Sequence, residues 1–147
     1  MSFQPDPDLI YWRIHLASPP ERVYQALATD SGRASFWAES AIERDDAIHF
    51  IFPSGQTWQG QILAAEPPRL FRLVYYGGSI TTFLLEEDGA GGTDLTLTDA
   101  GVLPADRGEV TAGWVSVLMA LKAAVDFGVD LRNHNPQRSW EQGYADN

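Results

Sequence analysis

The sequence has no cysteine and a single lysine, Lys122, among its 147 residues. The absence of cysteine excludes disulfides, thiol catalysis and thiolate metal sites, and it leaves the redox compartment open. Ten basic residues face 20 acidic ones, so the formal net charge is -10 at pH 7. Phosphate recognition depends on clustered Lys and Arg. We therefore expect neither nucleic acid nor an anionic membrane as a partner.

The chain also has little that resembles a leader or a membrane span. The first residues, Met-Ser-Phe-Gln-Pro-Asp, contain no basic region followed by an apolar stretch. No segment approaches the run of about 20 apolar residues that a span requires. We expect a cytoplasmic protein with a single domain over residues 1–147, a flexible lead at 1–8 and a tail at 133–147. A chain of this length can bury about 70% of its unfolded surface without disulfides or metal ions.

The strongest periodic pattern predicts one long amphipathic helix over residues 106–132. At 100° per residue, its apolar and small residues form one arc that should face a core. That arc contains Val110, Gly113, Trp114, Val117, Leu118, Leu121, Ala124, Val125, Gly128 and Leu131. Asp106 followed by Glu109 predicts a capping box at its start, and Asn-His-Asn-Pro at 133–136 predicts its end. Gly113 and Gly128 leave gaps that allow close packing or an open cavity.

The far face of this helix is predicted to meet water. Lys122, Asp126 and Asp130 fall there, so the helix should present no ionisable side chain inward, and any acid or base must come from the sheet or the loops. Met119 and Phe127 are apolar exceptions on the same face. They would contact a protein partner or a second copy of the chain, or else pack under the C-terminal tail.

The remainder of the chain predicts an antiparallel sheet and two short helices. Residues 9–17 alternate as a half-buried strand, and Ser-Pro-Pro-Glu at 18–21 predicts a capping box with proline at the first helical position. A second short helical turn should carry Phe36 and Trp37. From residue 41 onward, turn residues at hairpin spacing predict a meander. Its strands are expected at 48–52, 57–65, 70–76, 79–86 and 93–99.

Several motifs stand out, in the segments 17–24, 36–37, 60–62, 67–70, 92–98 and 113–114. Taken with this element order, they resemble the START-like superfamily, also called SRPBCC, and within it the group related to the activator of heat-shock-protein-90 ATPase. The resemblance implies an α+β helix-grip fold. In that fold a curved antiparallel sheet of about six or seven strands wraps round the long C-terminal helix, with two short helices after strand 1. An elongated apolar cavity lies between sheet and helix.

Such a cavity predicts binding of a small hydrophobic or aromatic molecule. The candidate lining residues, by strand parity and position on the helix, are Trp12, Trp37, Phe50, Trp58, Tyr75, Phe83, Leu97, Trp114, Leu118 and Leu121. For each residue taken singly an ordinary core role is favoured over ligand contact, so the prediction concerns the set. The alternative functions are a cyclase-like or hydrolase-like enzyme in the same cavity and a chaperone-activator-like interaction role, with a homodimer or another protein as partner.

Catalytic chemistry has few candidates. The three histidines, His15, His49 and His134, lack metal-ligand spacing, so no metal site is predicted, and no cofactor fingerprint is present. Asp99 shares a strand face with buried leucines and could act as a proton shuttle in the cavity. Its alternative role is to bond the amides of the turn that follows it. Tyr75 and Glu39 are weaker acid or base candidates.

Overall fold

The structure, a computed structural model, describes residues 3, 4 and 6–147. Its elements in chain order are β1 (Leu9–Leu16), α1 (Pro20–Ala28), α2 (Asp30–Ala34), β2 (Ser40–Arg44), β3 (Ala47–Ile51), β4 (Thr57–Glu66), β5 (Leu70–Val74), a 3-10 turn (Tyr76–Gly78), β6 (Ile80–Glu87), β7 (Thr93–Ala100), α3 (Arg107–Phe127) and a second 3-10 turn (Trp140–Gln142). Within the described residues the strands form one antiparallel sheet of seven, in the order β1-β7-β6-β5-β4-β3-β2. The predicted α+β class, meander and two short helices are confirmed, but α2 ends at Ala34 and does not carry Phe36 and Trp37, which follow it in a turn.

The alternation of β1 is also confirmed. Ile10 and Leu16 are buried, whereas Tyr11, Arg13 and His15 are exposed. Because β1 pairs with β7 across the full length of both strands, the chain's first strand lies beside its last one and closes the meander at that edge. The buried faces of both strands lie towards α3, which places the core between helix and sheet.

Helix α3 ends earlier than predicted. Gly128 adopts a left-handed backbone conformation with φ 65°, and its amide bonds back to the carbonyls of Ala123 and Ala124. Glycine enters this conformation without steric cost, so the helix ends here and not at residue 132. The wheel pattern continued past the end because Gly128 and Leu131 fall on the apolar arc, yet both are exposed. With 21 residues the helix is about 32 Å long.

Neither predicted capping box forms. Asp106 precedes α3 without a side-chain cap hydrogen bond. At α1 the cap position is Pro19, and Pro20 occupies the first helical turn as predicted. The Ser18 hydroxyl instead donates to the Val125 carbonyl at 2.8 Å, across the fold. Both predictions were wrong. At α1 a long-range hydrogen bond replaces the local one, and at α3 the Asp106 side chain makes no cap hydrogen bond.

Asp126 is the main exception to the predicted solvated face of α3. Its side chain is only 3% exposed, and it accepts hydrogen bonds from the Ala17 amide at 2.9 Å and the Ser18 amide at 3.0 Å. The Ser18 hydroxyl also lies 2.8 Å from it and shares its one proton between this carboxylate and the Val125 carbonyl. Lys122 donates to it at 3.3 Å and to the His15 carbonyl at 2.6 Å. Burial by itself raises the pKa of Asp126, but these donors outweigh it and the net pKa lies below the usual value. The junction between β1 and α1 therefore docks on α3 through this carboxylate.

The far face of α3 is open elsewhere. Phe127 is 72% exposed, and Met119, about two turns earlier on α3, is also exposed. The tail does not cover them, because Trp140 lies at Gly113 near the other end of the helix. Of the two predicted roles for these residues, packing under the tail is wrong.

By length and composition alone, α3 could cross a membrane. The prediction that no segment approaches a membrane span was therefore too strong. The core helix of a soluble protein passes the same test, and Trp114, Leu118 and Leu121 are buried in the core cluster.

Candidate ligand-binding site

A pocket of about 470 Å³ opens between the first half of α3 and the end of the sheet formed by β3, β4 and β5. Its walls come from the start of α3, the β3–β4 hairpin, the turn after β5 and the C-terminal tail. The residues that line it are Phe52, Pro53, Ser54, Gln56, Trp58, Tyr75, Tyr76, Asp106, Glu109, Val110, Gly113, Trp114, Val117, Trp140, Glu141 and Asn147. The pocket lies beside Trp114, at one end of the helix and not along its whole length.

Aromatic rings form most of the wall opposite the helix. The rings of Phe52 and Trp58 lie 4.2 Å apart between centroids, and Tyr76 lies 5.1 Å from Trp58. Tyr75 contacts both Trp58, at 5.4 Å, and Trp114, at 5.1 Å. The hairpin register brings these rings together, because Trp58 on β4 pairs with Phe50 on β3, two residues before Phe52. The aromatic wall thus connects the hairpin to α3.

Deeper in the fold the space between sheet and helix is filled. Trp37 occupies its centre, with its ring 5.0 Å from Phe50, 5.5 Å from Phe83 and 6.1 Å from Trp114. Nine of the ten predicted lining residues accordingly divide into two groups. Trp58, Tyr75 and Trp114 line the pocket. The others that are buried in the core are Trp37, Phe50, Phe83, Leu97, Leu118 and Leu121.

Trp12, the remaining candidate, lies apart from the pocket. Its indole is half-buried, packs 5.0 Å from the ring of Phe3 and donates to the Thr111 carbonyl at 3.0 Å. This contact joins β1 to α3. A direct ligand contact by any of these residues stays a prediction.

A buried polar network holds the aromatic wall in place. The Trp114 indole donates to the Asp99 carboxylate at 2.8 Å, and the Thr81 hydroxyl donates to its second oxygen at 3.0 Å. The Trp37 indole donates to the Tyr75 hydroxyl at 2.9 Å. Burial raises the pKa of Tyr75 far above its usual value; the Trp37 hydrogen bond opposes this, and the charge of Asp99 adds to it. Tyr75 is therefore a neutral phenol at physiological pH.

Asp99 is 1% exposed and is not among the residues that line the pocket. Its hydrogen bonds run to Trp114 and Thr81, so it fixes the indole of the pocket wall and not the turn that follows β7. The alternative prediction, a turn-capping carboxylate, was wrong because a buried acceptor at this position finds its donors across the core. A catalytic role for Asp99 stays a prediction.

The C-terminal tail forms one side of the pocket. Arg132, which is buried, donates to the carbonyls of Ala38 at 2.8 Å and Ala34 at 2.7 Å and so ties the start of the tail to the short helices. Trp140 then lies over Gly113, with a ring carbon 3.6 Å from where a Cβ would stand. Nothing in the sequence indicated that the tail forms this side of the pocket, because the tail has no periodic pattern and is held by a long-range contact.

The other sequence candidates lie outside the pocket. Glu39 hydrogen-bonds to the His134 imidazole, which also meets Asp130 at 2.7 Å. His15 meets Asp94 at 3.0 Å on the opposite strand of the sheet. Within residues 3, 4 and 6–147, no group of three or more His, Cys, Asp or Glu is placed to hold a metal ion.

The seven-stranded antiparallel sheet, the two short helices after β1 and the long C-terminal helix over the sheet define the helix-grip, or START-like, class. Residues 17–126 match the family model described as activator of Hsp90 ATPase homolog 1-like protein, and the chain belongs to that family. The resemblance stated from the sequence is confirmed. The match ends before the tail, so Trp140, Glu141 and Asn147 lie outside it.

Solved structures agree with the fold. A Staphylococcus saprophyticus protein is 25% identical, with 84% of this chain and 96% of that chain covered and a TM-score of 0.73. The Aha1 dimer from Colwellia psychrerythraea is 23% identical, with 82% and 97% covered and a TM-score of 0.73. A Chromobacterium violaceum protein is 26% identical, with 82% and 99% covered and a TM-score of 0.64. No curated protein matches this sequence.

Proposed function

We propose that the protein binds a small hydrophobic or aromatic molecule in the pocket between α3 and the sheet. The observation that carries this proposal is the cavity of about 470 Å³ beside Trp114, walled by aromatic side chains. Pockets for small molecules measure about 300–1,000 Å³ and are lined mainly by apolar and aromatic groups with a few polar ones. The volume and the lining both fit that description.

The wall is organised before any ligand arrives. Asp99 fixes the Trp114 indole and Trp37 fixes the Tyr75 phenol, each through a buried hydrogen bond. Binding to rings that are already ordered avoids part of the entropy cost of association. A rigid aromatic ligand would insert between Trp114 and Trp58, with its apolar edge against Val110 and Val117.

Replacing Gly113 by leucine is expected to fill the pocket and weaken binding at least about ten-fold. The new side chain would project from α3 towards Trp140, into space that a ligand would use. Helix stability should not suffer, because glycine is about 0.8–1.0 kcal/mol worse than alanine inside a helix. The neutral fluorophore N-phenyl-1-naphthylamine, titrated with both proteins, measures the effect through its own emission and tryptophan quenching.

Ala112→Leu is the matched control, since Ala112 is exposed on α3 and does not line the pocket. It should bind the fluorophore as the unchanged protein does. Equal binding by all three proteins would contradict the location of the site, and no binding by the unchanged protein would contradict the proposal. Gly128 is unsuitable for this test because it terminates the helix, with no neighbouring atoms to meet a side chain.

Catalysis in the same pocket is a second proposal. It is favoured by the buried Asp99 carboxylate, which is one side chain behind the pocket and joined to it through Trp114. A ligand would reach Asp99 only if Trp114 moved. Turnover of a compound that binds here, lost in Asp99→Asn without loss of binding, would support it. A bound compound that returns unchanged would count against it.

Self-association is a third proposal. It is favoured by the exposed apolar group Phe127, Val129 and Leu131 at the end of α3, and a solved structure of similar fold is described as a dimer. Light scattering during size exclusion should give twice the chain mass, and Phe127→Ser should return it to the monomer. A single-chain mass at high protein concentration would refute this proposal and leave the surface open to a different protein.

A further inference from the structure

The charged residues that line the pocket all have the same sign. Asp106, Glu109 and Glu141 contribute carboxylates, and no Lys, Arg or His lines the pocket. The ion pairs within the described part of the chain involve other carboxylates. Glu141 accepts a hydrogen bond at 3.2 Å from the side-chain amide of Gln56, and that amide carries no charge. Among the described residues, Asp106, Glu109 and Glu141 therefore form no ion pair.

The carboxylates come from two separate parts of the chain. Asp106 and Glu109 stand at the start of α3, on the face that also carries Gly113. Acidic residues are common at helix starts because they complement the partial positive charge there. Stabilisation of α3 does not explain Glu141, which lies in the 3-10 turn Trp140–Gln142 and reaches the pocket from the other side. Asp106, moreover, makes no cap hydrogen bond to the helix.

The walls between these carboxylates are aromatic. They are formed by Phe52, Trp58, Tyr75, Tyr76, Trp114 and Trp140. The face of an aromatic ring attracts cations, most strongly for tryptophan, and the attraction grows when the cation leaves water. Carboxylates beside such faces attract the same charge. Anions would be repelled by the pocket and by the net charge of -10.

We infer that the pocket takes an organic cation, an amine or quaternary ammonium group carried on an apolar or aromatic body. This inference rests on the proposed function, because it names the class of ligand for the same pocket. The apolar body packs against Val110, Val117 and Trp114, and the charged group lies towards Glu109 and Glu141, whose side chains are exposed at the mouth.

The test compares three probes of similar size that differ in charge. Benzyltrimethylammonium is the cation, neopentylbenzene is its neutral isostere, and benzenesulfonate is the anion. Dissociation constants from ligand-observed NMR and tryptophan quenching should rank the cation about ten-fold tighter than the neutral isostere. The anion should bind weakest. Added salt should weaken the cation selectively, because the carboxylates are solvent-accessible.

A double variant, Asp106→Asn with Glu109→Gln, should weaken binding of the cation about five-fold and leave that of the neutral isostere unchanged. The matched control is Glu86→Gln with Glu87→Gln, which makes the same change in net charge. Those residues lie at the far end of β6 from the pocket, where they pair with Asp94 and Thr93. The control should bind all three probes as the unchanged protein does.

Equal affinity for cation and neutral isostere, or tightest binding of the anion, would overturn the inference and leave apolar binding at this site intact. Equal effects of the two double variants would also overturn it, since net charge alone would then explain the preference. Failure of every probe to bind would remove the inference together with the proposed function.

Discussion

Replacing Trp114 by alanine is expected to lower the free energy of unfolding by about 3–5 kcal/mol. The indole is 3% exposed and contacts the rings of Trp37, Tyr75 and Phe83. Deleting it leaves a cavity between the pocket and the core and removes a donor from the buried carboxylate of Asp99. An under-bonded buried charge adds its own cost. Equilibrium unfolding in urea measures the change.

Trp140→Ala is the control with the same chemical change. Trp140 is 40% exposed, so its loss should cost less than about 1 kcal/mol. Trp114→Phe keeps one aromatic ring in place, and it removes the hydrogen bond to Asp99 with a smaller loss of volume than the alanine variant. We expect it to cost about 1–3 kcal/mol. Similar losses for the two alanine variants would show that the core is not organised around Trp114.

Replacing Asp126 by asparagine is expected to cost about 1.5–3 kcal/mol. The carboxylate accepts hydrogen bonds from the Ala17 amide and from the amide and hydroxyl of Ser18, in a position that is 3% exposed. An asparagine amide group can turn only one accepting oxygen towards these donors. Asp8→Asn, at an exposed position, is the control and should change stability by no more than about 0.5 kcal/mol.

The cost of Asp126→Asn should depend on pH. The pKa of Asp126 is lower in the folded protein than the unfolded value of about 3.9, so the unfolded chain binds the proton more readily. The stabilisation is then complete above the unfolded pKa and is lost as pH falls through the folded pKa. Unfolding measured from neutral pH down to about pH 2 should show the two proteins converging. A constant difference would mean that shape and not charge holds the junction.

The sequence by itself determined the parts of the fold that depend on local periodicity. Alternation in residues 9–17 and 93–99 predicted the two strands β1 and β7, because a strand exposes opposite faces in turn. The helical period predicted that Trp114, Leu118 and Leu121 face the core. Turn residues between the hairpins fixed the order of the meander, since few connections suit such short spacings.

Contacts between distant residues could not be predicted in the same way. Asp126 fell on the polar side of the wheel, yet the β1–α1 junction covers it. Gly128 fitted the apolar arc but ends the helix, because a wheel carries no information on backbone conformation. Several of the aromatic residues predicted to line a cavity fill the core instead, and Trp37 occupies its centre.

The sequence alone therefore determined the meander and the apolar face of α3, because these follow from spacings of two to four residues. The helix-grip class came from the resemblance of its motifs to the START-like superfamily. The tertiary structure decided where the pocket lies and what charge it carries. Trp58, Glu109 and Glu141 come from three distant segments, and only the folded chain brings them to one cavity. The spacing of residues along the chain does not indicate which distant segments come into contact.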